Sequence, residues 1–88
     1  MKAGTIKAVR ERLGLTQPEF ALLCHTHPIT VSHWENEKRF PDSWQELMIG
    51  TLHRERPEPL DVELVVELKR ALQIGAPAAY ALLWGKSK

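Results

Sequence analysis

The sequence predicts an all-α fold of five to six short helices, and three observations carry that prediction. Apolar residues recur at helical spacing along nearly all 88 residues. No run alternates apolar and polar residues in the manner of a half-buried strand. Glycines and prolines cut the helical pattern into short pieces, and a capping residue precedes several of the pieces.

The elements follow in order. Residues 5–13 predict a first helix with Ile6, Val9 and Leu13 on one face, and Gly14 stands where a left-handed residue ends a helix at little cost. Thr16 followed by Glu19 makes a capping box for the second helix, Leu15 and Phe20 stand at hydrophobic-staple positions, and Pro18 falls in the first turn. The stretch 24–28 (Cys-His-Thr-His-Pro) interrupts the pattern. Pro28 suits the first position of a third helix over about 28–36, with Val31 and Trp34 facing inward. Two helices joined by so short a turn form a helix-turn-helix unit over about residues 16–38. His25 stands in that turn, where helix-turn-helix units often carry glycine.

Asp42 predicts the cap of a fourth helix, roughly 43–54, with Trp44, Leu47, Met48, Thr51 and Leu52 as its inner stripe. Pro57 and Pro59 mark a linker. Asp61 caps a fifth helix over about 62–74, with Leu60 and Val65 as a staple-like pair, and Gly75 ends it. Pro77 starts a sixth over 77–84, closed by Gly85. The expected organisation is one compact domain, with a helix-turn-helix region at 1–56 and C-terminal helices at 57–88.

Composition narrows the class without naming it. The chain is 43% hydrophobic and 26% charged, ordinary for a soluble globular protein. No apolar run approaches the roughly 20 residues of a membrane span, and the N-terminus lacks a secretory signal pattern. A single cysteine, Cys24, excludes an internal disulfide and fits a cytoplasmic setting. The net charge is only +1. Residues 1–40 hold six Lys/Arg against four Asp/Glu, so the weak basic excess sits in the N-terminal half. Cys24, His25, His27 and His33 match no common structural-zinc spacing, and no metal or cofactor is expected. No nucleophile–base arrangement or phosphate-cradling glycine loop is present, so no catalysis is expected.

The run from Leu13 to Ala21 (Leu-Gly-Leu-Thr-Gln-Pro-Glu-Phe-Ala), with Val31 to Arg39 (Val-Ser-His-Trp-Glu-Asn-Glu-Lys-Arg) and Pro41, resembles the XRE (Cro/CI-like) repressor family. The resemblance covers about residues 5–41 and implies a lambda-repressor-like domain whose third helix enters the major groove of double-stranded DNA. It implies base contact from His27, Pro28, Ile29, Ser32 and His33. Phosphate contacts are implied for Gln17, Thr26, Thr30, Asn36, Lys38 and Arg39. Arg10 and Glu35 match an ion pair that ties the first helix to the third. The family reads two half-sites about 34 Å apart, which implies a homodimer. Tyr80, Leu83 and Trp84 on the last helix are the interface candidates, with Val62, Val65, Val66 and Leu72 beside them. The expected function is a sequence-specific transcriptional regulator, a repressor or autoregulator on an inverted repeat. The competing expectation is an antitoxin-type module whose main task is holding a protein partner such as a toxin.

Overall fold

A computed structural model describes residues 1–84 of the chain. Six helices follow one another: α1 (Ala3–Arg12), α2 (Gln17–Leu23), α3 (Pro28–Glu35), α4 (Ser43–Glu55), α5 (Val62–Ile74) and α6 (Ala76–Trp84). No strand occurs among the described residues. The all-α class holds, and the ends shift by a residue or two. The largest shift is at α1, which starts at Ala3 because Ala3 is itself buried in the core. Gly85, expected to close the last helix, lies outside the described residues.

The start signals act as their chemistry requires. Thr16 accepts the Glu19 N–H at 3.3 Å while the Glu19 carboxylate accepts the Thr16 N–H at 2.8 Å. Asp42 and Gln45 form the same reciprocal pair at α4, and Asp61 accepts from the Leu64 N–H at α5. The three helices α1, α2 and α3 also end alike. Their last turns close through Leu15 N–H to Arg10 O, Thr26 N–H to Ala21 O and Lys38 N–H to His33 O, at 3.2, 2.9 and 2.8 Å. Each closure needs one left-handed residue, and the three are Gly14, His25 and Glu37, with φ of 73°, 55° and 62°.

The helices share one core, to which α2 is central. α2 packs on α3 and also meets α5 and α6, which pack on each other. α1 bridges α3 and α4. Trp34, Phe20, Ile6 and Ile49 are among its fully buried side chains.

Two expectations about faces need correction. In α4 the inward residues are Met48, Ile49 and Leu52; Trp44 is 47% exposed, and Leu47 is exposed as well. The helix is rotated so that the half-buried Gln45 can donate its amide to the Cys24 carbonyl at 3.0 Å, which turns Trp44 outward. The second correction concerns α6, which folds back on α5 and α2. Leu83 is only 5% exposed and Leu72 is buried, so both fill this chain's own core and have no face to offer a second chain. Tyr80 is half-buried, with its hydroxyl donating to the Leu23 carbonyl at 2.6 Å. Trp84, also half-buried, packs on the Tyr80 ring with centroids 5.8 Å apart. Val65 leans on Gly14, where an added Cβ would come within 2.8 Å of its Cγ1.

Candidate nucleic-acid interface

The helix-turn-helix unit is α2, the turn 24–27 and α3. The inner residues Val31 and Trp34 anchor α3, and this fixes what faces out. Ile29 is 61% exposed, His27 and Pro28 are exposed, and Ser32 and His33 follow on the same side, half-buried. Thr26 and Thr30 flank that face, both half-buried. α5 and α6 pack on α2 and on each other rather than on α3, and His27, Pro28 and Ile29 stay exposed.

A charged clasp sets the angle of α3. Arg10 grips Glu35 with two hydrogen bonds, Nε to Oε2 at 2.7 Å and Nη2 to Oε1 at 3.1 Å, and a third goes to the Leu15 carbonyl at 3.0 Å. The two side chains are 14% and 6% exposed, so water screens the pair little. Burial alone would raise the Glu35 carboxyl, but the hydrogen bonds from Arg10 and Gln17 and the charges of Arg10 and Lys7 hold it below its ordinary value. The hydrogen bond to Glu35 raises Arg10 despite burial. The clasp joins α1, α2 and α3.

The turn is held from behind. The carbonyls at the end of α2 would otherwise be orphans. Phe20, Ala21 and Leu22 accept from the N–H groups of Cys24, Thr26 and His25. Leu23 accepts from Tyr80 and Cys24 from Gln45. The His25 ring stands between Trp44 and Tyr80, centroids 6.0 and 6.1 Å away. Cys24 is fully buried beneath, and burial pushes its thiol up to about 12, so at neutral pH it packs as a small apolar residue.

The structure alters the roles of two residues expected at phosphates. The Gln17 amide donates to Glu35 Oε1 at 3.1 Å, so part of its donor capacity orients α3. The Asn36 amide is spent on Ser32, donating to its carbonyl at 2.9 Å and its hydroxyl oxygen at 3.3 Å. Gln17 keeps a second amide N–H, whereas both Asn36 bonds fall within α3. Lys38 and Arg39, just beyond α3, are exposed. The i, i+4 spacing of Ser32 and Asn36 could have revealed their link in the sequence. No local signal marks Lys69, which crosses from α5 to Glu19 at 2.7 Å and offsets the charge at the start of α2.

A buried clasp, a braced turn and an outward third helix define a helix-turn-helix unit of the DNA-binding kind. Residues 6–42 match the family model described as Helix-turn-helix, so that segment of the chain is similar to the helix-turn-helix domains of the XRE (Cro/CI-like) kind. The chain thus carries a DNA-binding regulatory domain. Neither a curated protein nor a solved structure matches it. Among the described residues, no helix is long and apolar enough to cross a membrane.

Proposed function

We propose that the protein is a sequence-specific transcriptional regulator, a repressor or autoregulator, that lays α3 in the major groove and occludes an inverted-repeat operator. The observation that carries this reading is the outer face of α3, oriented by Arg10–Glu35, with His27, Pro28 and Ile29 exposed and α5 and α6 packed on α2. Ile29 offers an apolar contact for a thymine methyl, while Lys38 and Arg39 supply positive charge at the backbone.

The electrostatics argue for two copies on one operator. A net charge of +1 gives weak counterion release, and Arg10 is committed to Glu35. One domain alone therefore holds DNA loosely. Linking two makes the second contact intramolecular and multiplies affinity without new contacts. A homodimer with its α3 helices about 34 Å apart meets that need.

Selection of bound fragments from a random duplex library tests the reading. A symmetric consensus, with sedimentation showing a dimer on it, is the expected result. Bound DNA of no shared sequence would overturn it.

The second reading is a module that holds a protein partner, such as a toxin. Exposed Trp44, Leu47, Val62, Val66 and Ile74 favour it, because apolar groups of that size gain from being covered. Co-purification of a stoichiometric partner from the native cell, with loss of DNA selectivity in the free chain, is its signature.

A further inference from the structure

We propose that Gln45 of α4 and Tyr80 of α6 are positioning residues for DNA binding: they lock two successive peptide planes between α2 and α3, and so set the angle at which α3 is presented. The proposal rests on the groove-reading function above.

The lock begins where α2 ends. The Phe20, Ala21 and Leu22 carbonyls accept from backbone N–H groups, whereas the next two, those of Leu23 and Cys24, are met by side chains from other helices. The Tyr80 hydroxyl donates to Leu23 O at 2.6 Å, and the Gln45 amide donates to Cys24 O at 3.0 Å. These two carbonyls belong to consecutive peptide units. Each unit is planar, so only φ and ψ of Cys24 can turn one against the other. With both planes held, Cys24 stays at φ −92° and ψ 4°, and His25 follows at φ 55°. The His25 ring is held by the same two helices, between Trp44 and Tyr80. Water would satisfy either carbonyl, but it would not tie the peptide plane to α4 or α6.

The Arg10–Glu35 clasp cannot do this work, because it grips the other end. Glu35 is the last residue of α3, and the turn joins the first, Pro28. Over the eight residues of α3, about 12 Å of helix, a swing of about 10° about the Glu35 end moves the leading end by about 2 Å. A shift of that size separates a made hydrogen bond from a missed one. The clasp fixes the trailing end of α3, and Gln45 and Tyr80 fix the leading end.

The test uses the full chain, the duplex it selects and a random duplex. Gln45→Glu keeps an oxygen for the Asp42 N–H, so the α4 cap survives and only the amide donor is lost. Tyr80→Phe removes only the hydroxyl. Both variants are measured well below their melting temperatures, where each chain is fully folded. Each is expected to weaken binding to the selected duplex about 10-fold, the effect of one lost hydrogen bond, while binding to random duplex stays as in the parent. Variants that melt earlier but keep the parent's ratio of selected to random binding would show two purely structural bonds and overturn the proposal. An equal loss on both duplexes overturns it as well, since a changed angle acts on selectivity. If one variant fails to fold, the other decides by the same ratio. A parent chain that selects no duplex overturns the groove-reading function and the positioning roles with it.

Discussion

Gly14, His25 and Glu37 each place one left-handed residue after a helix, but they differ in what the conformation costs. At Gly14 the backbone is free of strain, and Val65 occupies the space a side chain would need. Gly14→Ala is expected to cost about 2 kcal/mol or more, combining the left-handed penalty with the contact against α5. Glu37 is exposed and gains nothing comparable. Glu37→Gly is expected to stabilise the fold by about 1 kcal/mol, read as a raised urea midpoint with an unchanged slope. Failure of either sign would show that these termini relax more easily than their hydrogen bonds indicate. His25 differs from Glu37 because its ring is set against Trp44 and Tyr80. That contact offsets the backbone strain and explains why a residue other than glycine is tolerated in the turn.

At the scale of helices, the clasp of Arg10 and Glu35 makes α1, α2 and α3 one reading unit. Glu35 is held below its ordinary value of 4.5 in the folded chain. A depressed folded value gives stability that is present above the unfolded value and lost as pH falls through the folded one. Urea midpoints should therefore drop below about pH 4.5, with Glu19, lowered by Lys69 against its own burial, adding to the same window. Glu35→Gln should cost about 3 kcal/mol near pH 7, by leaving Arg10 without its counter-charge, and should flatten the acid slope. An unchanged slope would mean that other carboxylates drive acid unfolding. The caps were legible because they depend on residue type at short spacing, Thr16 with Glu19 and then Asp42 and Asp61, whereas the clasp, 25 residues apart, was legible only through the family resemblance. The inner face of α4 was not. Trp44, Leu47 and Leu52 are as apolar as Ile49, so periodicity alone cannot tell that Gln45 must reach the Cys24 carbonyl and turn Trp44 outward. The outward side of α3 was legible from Val31 and Trp34 pointing in. The commitments of Gln17 and Asn36 depend on side-chain geometry that sequence spacing does not fix.

At the scale of the whole chain, residues 6–42 hold the family signature, yet α2 also packs on the C-terminal helices. Tyr80, 57 residues away from Leu23, caps the end of α2, and Arg56 donates to the Leu83 carbonyl at 2.9 Å to close α6 over the linker. Burial raises the Tyr80 hydroxyl above its ordinary value, with the nearby Cys24 adding to the rise, so it stays protonated and keeps donating at neutral pH. Tyr80→Phe removes that donor and leaves a half-enclosed carbonyl unpaired, an expected loss of about 1–2 kcal/mol by thermal or urea unfolding. Ending the chain at Arg56 goes further. It uncovers the face of α2 that meets α5 and α6, removes Leu68, Leu72 and Leu83 from the core, and strips the Leu23 carbonyl of its partner. Each lost leucine is a core truncation of a few kcal/mol, against a total stability of only about 5–15 kcal/mol for a domain of this size. The shortened chain is therefore expected to keep some helical signal but lose its cooperative thermal transition and its DNA selectivity together. A shortened chain that unfolds cooperatively and still selects the same duplex would show that the braced turn is dispensable, and that α3 is oriented by the Arg10–Glu35 clasp alone.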